Sequence, residues 1–83
     1  MIQISETKKH IIVTQGSMEI RLQKPVAITD EIRFNGVPHR VLMNSNWIVV
    51  VNHRSLSVFT RDFRLPENVK TLIALSKVLQ TLR

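Results

Sequence analysis

The chain is expected to fold as a small α+β domain: an antiparallel β-meander, barrel- or sandwich-like, followed by one C-terminal α-helix. Three observations predict this class. Met18, Ile20 and Leu22 alternate with Glu19, Arg21 and Gln23, the period of two that marks a half-buried strand. Turn signals recur through the first two thirds of the chain, at Gln15-Gly16-Ser17, Lys24-Pro25 and Asn35-Gly36. Beyond Arg64-Leu65-Pro66 there is no Gly, Pro or aromatic residue, and the apolar residues recur at helical spacing. Eighty-three residues make one domain, residues 1–83. Within it the pattern predicts about five to six strands over residues 10–60 and a helix over about 66–82.

The strands follow in order. His10 to Gln15 is the expected partner of Met18 to Gln23 across the Gly16 turn, and Lys24-Pro25 closes that unit. Glu31 to Phe34 leads into Asn35-Gly36, and Val37 starts the next strand. Asn-Gly between strand-like runs is a strong hairpin signal, because both residues tolerate positive φ. A turn at Ser45-Asn46 pairs Leu42 with Val49, Val41 with Val50 and Met43 with Ile48. A turn at His53-Arg54 pairs Val51 with Leu56, Val49 with Val58 and Ile48 with Phe59. His-Arg is poor primed-turn chemistry, which leaves a longer loop open there as the alternative. Glu31 falls opposite Arg40, an expected cross-strand charge pair.

This register sorts the apolar residues into two sets. One face carries Leu42, Trp47, Val49, Val51, Leu56 and Val58. The other carries Ile32, Phe34, Val37, Val41, Met43, Ile48, Val50 and Phe59. A slip of one residue would exchange them, so agreement across the hairpins supports the register. Both faces are apolar and need cover. The helix is expected on the Val49 face; the N-terminal hairpin, or a second subunit, covers the other.

Pro66 at the helix start, Glu67 in the first turn and Arg83 at the far end suit the helix macrodipole. Val69, Leu72, Ile73, Leu75, Val78, Leu79 and Leu82 would cover more than half of its circumference. Resting on a sheet needs a stripe of about 100° or a little more. The excess predicts a second contact, with Leu75, Val78 and Leu82 as the expected interface of a homodimer.

Chemistry is sparse. The chain has no cysteine, which excludes disulfides and cysteine zinc sites. It has no tyrosine, no glycine-rich phosphate loop and no pair of converging carboxylates; no enzyme activity, metal, cofactor or small-molecule substrate is expected. His39 and His53 fall on neighbouring strands but opposite faces, and His10 belongs to a basic run with Lys8 and Lys9. Trp47 is expected in the core, since large aromatics dominate cores. The longest apolar stretch, Trp47 to Val51, is too short to span a bilayer. The N-terminus lacks the long apolar run of a signal peptide, so a cytoplasmic location is expected, with no membrane partner.

Charge carries the functional signal. Twelve Lys and Arg against six Asp and Glu give a net charge of +6. Between Arg33 and Arg64 stand Arg33, Arg40, Arg54, Arg61 and Arg64 with a single acid of later position, Asp62. Arginine binds phosphate through paired hydrogen bonds, so these five are the candidate nucleic-acid contacts. Arg33, His39, Arg40, His53 and Arg54 are expected at one end of the sheet. Arg61, Arg64 and Lys70 are expected at the other, where the helix would begin. The strand-strand-strand-helix order from Val37 to Leu82 resembles, in outline, small DNA-binding domains of the integrase arm-binding type, whose sheet lies in the major groove. Those sheets present a polar face, which this sequence lacks. The competing reading is a protein-interaction module, a small regulator or inhibitor whose basic rim meets an acidic protein.

Overall fold

The computed structural model describes residues 2–62 and 64–83. Nine strands and one helix are formed among them: β1 (Ile2–Glu6), β2 (His10–Gln15), β3 (Met18–Gln23), β4 (Ala27–Thr29), β5 (Ile32–Phe34), β6 (Val37–Met43), β7 (Trp47–Asn52), β8 (Leu56–Thr60), α1 (Glu67–Ser76) and β9 (Gln80–Leu82). They make a small α+β fold. A three-stranded sheet has the order β1-β2-β3; a six-stranded sheet runs β8-β7-β6-β4-β9, with β5 also on β6. All the pairings are antiparallel.

The expected registers form. Leu42 faces Val49, Val41 faces Val50 and Met43 faces Ile48; Val51, Val49 and Ile48 face Leu56, Val58 and Phe59. Asn35 and Gly36 both take positive φ, +53° and +76°, as a type I′ turn requires. The His53-Arg54 loop is not longer than two residues: the Asn52 N–H donates to the Ser55 carbonyl at 3.0 Å. Asn52 supplies what the turn residues lack. Its Oδ1 accepts from the N–H of Arg54 and of Ser55, each at 2.8 Å, so a side chain rather than positive φ closes the turn. Asn44 plays the same part at the other end, accepting from the N–H of Asn46 and Trp47. Its Nδ2 also donates to the Gln23 carbonyl, tying the two sheets together.

Three strands lie outside the expectation. β1 has a visible alternation, Ile2 and Ile4 against Gln3 and Ser5. β4 and β9 have three residues each, too few to show a period. β4 pairs with β6 at Ala27 and Ile28, and β5 takes over the same edge from Ile32. At the handover the buried Thr29 Oγ1 accepts from the Val41 N–H at 2.9 Å, replacing a ladder bond that would otherwise be missing. The ladder to β5 begins at Ile32 opposite His39, and none of the ion pairs among the described residues joins Glu31 to Arg40.

The helix ends at Ser76, not near Leu82. Ser76 is fully buried, and its Oγ donates to the Ile73 carbonyl at 2.6 Å. The chain then turns, and Gln80–Leu82 pairs with Ala27–Thr29. Mutual bonds between Val26 and Arg83 extend the pairing. The long helical period yields because β4 has an edge to satisfy, and tertiary pairing outweighs local propensity.

The covers are also exchanged. Ile11, Val13 and Leu22 of the small sheet pack with Val26, Ile28, Leu42, Val49 and Val51. Val69 and Leu72 of the helix pack with Ile32, Val41, Ile48 and Val50. The Val49 face therefore belongs to the N-terminal sheet, and the helix lies on the opposite one. Two thin cores result, one on each side of β6 and β7.

Candidate nucleic-acid interface

The five arginines are exposed. Arg33 on β5 pairs in register with Pro38, and Arg40 lies two residues further along β6. Cross-strand partners share a face, as do residues two apart on one strand, so Arg33 and Arg40 are diagonal neighbours. The Asn35-Gly36 and His53-Arg54 turns close the same end of the sheet, where β6 starts and β7 finishes. Arg33, Arg40 and Arg54 therefore gather there with His39 and His53.

A cleft of about 330 Å³ opens at this end, lined by Arg40, His39, His53 and Asn52 over Ile2, Ile4 and Val51. Both histidines reach it, because His53 lies in the turn rather than on a strand face. The His39 ring is fixed by a contact of 2.8 Å from Nδ1 to the Val37 carbonyl, where Nδ1–H donates, and by an edge-on packing with Phe34. Among the described residues no group of three His, Cys, Asp or Glu converges on a metal-sized site. β1 supplies the apolar floor of this cleft, and the sequence signal that reveals it is the Ile2 and Ile4 alternation.

Arg61 lies at the opposite end. Its N–H donates to the Asn46 carbonyl and its Nη1 to the Asn44 carbonyl at 3.0 Å, so it braces the β6–β7 turn. Arg54 and Arg61 stand at opposite ends of β8, roughly 20 Å apart at about 3.4 Å per residue. The helix runs the other way from the expectation. Pro66 and Asn68 at its start line a pocket with Phe34, His39 and Asn52; Ile73 and Lys77 line one with Met43, Ser45 and Arg61. The helix begins at the turn end, and Lys77 rather than Lys70 accompanies Arg61. Arg64 lies between β8 and the helix.

Three of the six acids are paired away from these arginines, whereas Glu31 lines the cleft with Arg40 and Asp62 follows Arg61 in the chain. Glu6 pairs with Lys24 and Arg83, Glu19 with Arg21 and Glu67 with Lys70. The Lys24 hydrogen bond, aided by Arg83, holds the Glu6 carboxyl below its ordinary value. None of the ion pairs among the described residues uses Arg33, Arg40, Arg54, Arg61 or Arg64.

Of the residues expected at a dimer interface, Leu75 is on the helix, Val78 in the turn after it and Leu82 on β9. They are exposed but do not form one helical stripe. Trp47 is not a core residue: it is 42% exposed, beside Val58 at 42%. It belongs to the Val49 face, yet sits at the strand end that the small sheet leaves partly open.

Comparison with protein-family models, curated proteins and solved structures finds no match. With the N-terminal sheet on one face and the helix on the other, the centre of β6 and β7 has no free face to lay in a groove. No helix among the described residues is long and apolar enough to cross a membrane.

Proposed function

We propose that this protein is a small, non-enzymatic nucleic-acid-binding protein that engages phosphates through the arginines at its hairpin end. One observation carries the reading: the five central arginines are exposed and without ion pairs among the described residues, whereas Arg21, Lys24, Lys70 and Arg83 are paired with Glu6, Glu19 and Glu67. Arg33 and Arg40, side by side, form the centre of the contact, and Arg54 flanks them. Arg61 and Arg64 extend the basic surface towards the other end, with Arg61 partly committed to its turn. Contact is made by hairpin ends and rims, because both sheet faces are covered. Such contacts position phosphates and carry little base information.

The test is binding of short duplex DNA and single-stranded RNA, followed by fluorescence anisotropy over a range of salt. Phosphate-led binding weakens linearly on logarithmic axes, with a slope of roughly −0.9 per phosphate neutralised on duplex DNA. Arg33→Gln with Arg40→Gln should flatten that slope by about 1–2 and leave thermal stability unchanged. Absence of binding to both nucleic acids at low salt defeats the reading. Salt-sensitive binding to an acidic polypeptide alone would assign the basic rim to a protein partner instead.

A further inference from the structure

The outer edge of β8 is an unfinished sheet. β8 ends the larger sheet, with β7 as its neighbour there. Just beyond its two ends, the Ser55 carbonyl accepts from the Asn52 N–H and the Arg61 N–H donates to the Asn46 carbonyl. Antiparallel ladders alternate, so Ser57 and Phe59 also face β7, and Leu56, Val58 and Thr60 aim their N–H and C=O outward. No backbone hydrogen bond among the described residues engages that outward side.

Natural edge strands are protected by charges, bulges or covers. β3, which borders the same groove, carries the exposed Glu19–Arg21 ion pair. β8 reads Leu-Ser-Val-Phe-Thr and has no charge. Beside it lies a groove of about 290 Å³ lined by Ile20, Leu22, Trp47 and Val58. Exposed apolar surface thus flanks unpaired backbone.

We infer that the edge is occupied by β8 of a second copy of this chain, antiparallel and centred on Val58. This register follows from two independent arguments. It is the symmetric pairing that overlaps the whole strand: Val58 meets Val58 and Leu56 meets Thr60 of the other copy. All three outward residues then find hydrogen-bonding partners, because their parity matches. Just beyond the strand, the same register brings the turn residue Arg54 of one copy towards the turn residue Asp62 of the other, at both ends. Arg54 and Asp62 are exposed and take part in none of the ion pairs among the described residues. A shift by one residue at the centre, to Phe59, moves the two turns out of step and loses that match. Charge selects the register, and burial of Val58 and Trp47 supplies the attraction. The two sheets become one continuous sheet across a twofold axis. In this pairing Arg54 serves the interface, and phosphate contacts at the hairpin end fall to Arg33 and Arg40.

Sedimentation equilibrium of the full chain at high micromolar concentration tests the pairing. The expected species has twice the mass of one chain. Val58→Lys places two like charges against each other at the axis and should give a monomer; because Val58 is exposed, the variant should stay folded and melt cooperatively, lower than the parent only by the association it has lost. Asp62→Arg should weaken association by at least about tenfold, since it sets arginine against arginine. Arg54→Asp combined with Asp62→Arg should restore it. A monomeric parent, a Val58→Lys dimer, or failure of the double exchange to recover association would each overturn the inference. The nucleic-acid reading is tested separately, through Arg33 and Arg40.

Discussion

At the scale of single residues, the side chains that decide this fold are small and mostly uncharged. Val49 lies on β7 without solvent exposure, among Ile11, Val13, Leu22 and Leu42. Val49→Asp buries a carboxylate with no partner, a cost of several kcal/mol or more, on the order of the whole stability of a small domain. The variant should lack a cooperative thermal transition by circular dichroism; a normal melt would show that the core is misassigned. Val49 was legible because its partners on both sides, Leu42 and Val58, are fixed by turn lengths. Trp47 was not legible. Its strand, register and face can be read from the sequence, but where the covering sheet stops cannot, and that boundary leaves the ring partly in water. Asn44 and Asn52 illustrate a related limit. Both precede turns, where asparagine is common, yet their hydrogen bonds depend on the hairpins being closed already.

At the scale of elements, local periods succeeded and short strands failed. β2, β3 and β6 to β8 have the length to show alternation. β4 and β9 exist because each completes the other, and no window of three residues announces that. The same pairing explains why the helix stops at Ser76 despite an apolar pattern that continues to Leu82. The bonds between Val26 and Arg83 place Ile28 and Thr81 in the next hydrogen-bonded pair of this ladder. Thr81→Pro removes that donor and should cost roughly 1–3 kcal/mol, read from urea unfolding, with the helix signal retained. Extension of the helix into this segment instead would refute the pairing. β1 is joined to β9 by Glu6, which meets both Lys24 and Arg83. Its carboxyl is lowered from an ordinary 4.5 by the Lys24 hydrogen bond and then by Arg83. The sign follows: the contribution is complete above the ordinary value and fades as pH falls through the lower folded value. Melting temperatures of the parent and of Glu6→Gln, compared from neutral pH into the acid range, should differ most at neutral pH and converge on acidification. A constant gap would mean that the ion pairs contribute nothing through ionisation. The basic end was legible as a cluster because two turns of known length bring it together; the helix direction was not, because the link from β8 to α1 carries no period.

At the scale of the whole molecule, two apolar layers enclose β6 and β7, and the charge is left to the rims. That division is why the basic character of the chain is read from composition and turn positions alone, with no motif. It also makes stability uneven. β9 is short and exposed along its length, so its pairing with β4 should be the first to open in native-state hydrogen exchange. The Val26 N–H donates to the Arg83 carbonyl, while the Val26 side chain is wholly enclosed. Accessibility and protection should therefore part company there. The Val26 amide should exchange by a low-energy fraying of the C-terminal strand, well ahead of the Val41 amide, which the Thr29 hydroxyl holds inside the sheet. A Val26 amide as slow as that of Val41 would mean that β9 opens only with the entire domain. In the expected case the molecule unzips from its last strand, and the edge uncovered is that of β4, whose Ile28 belongs to the core beneath the N-terminal sheet.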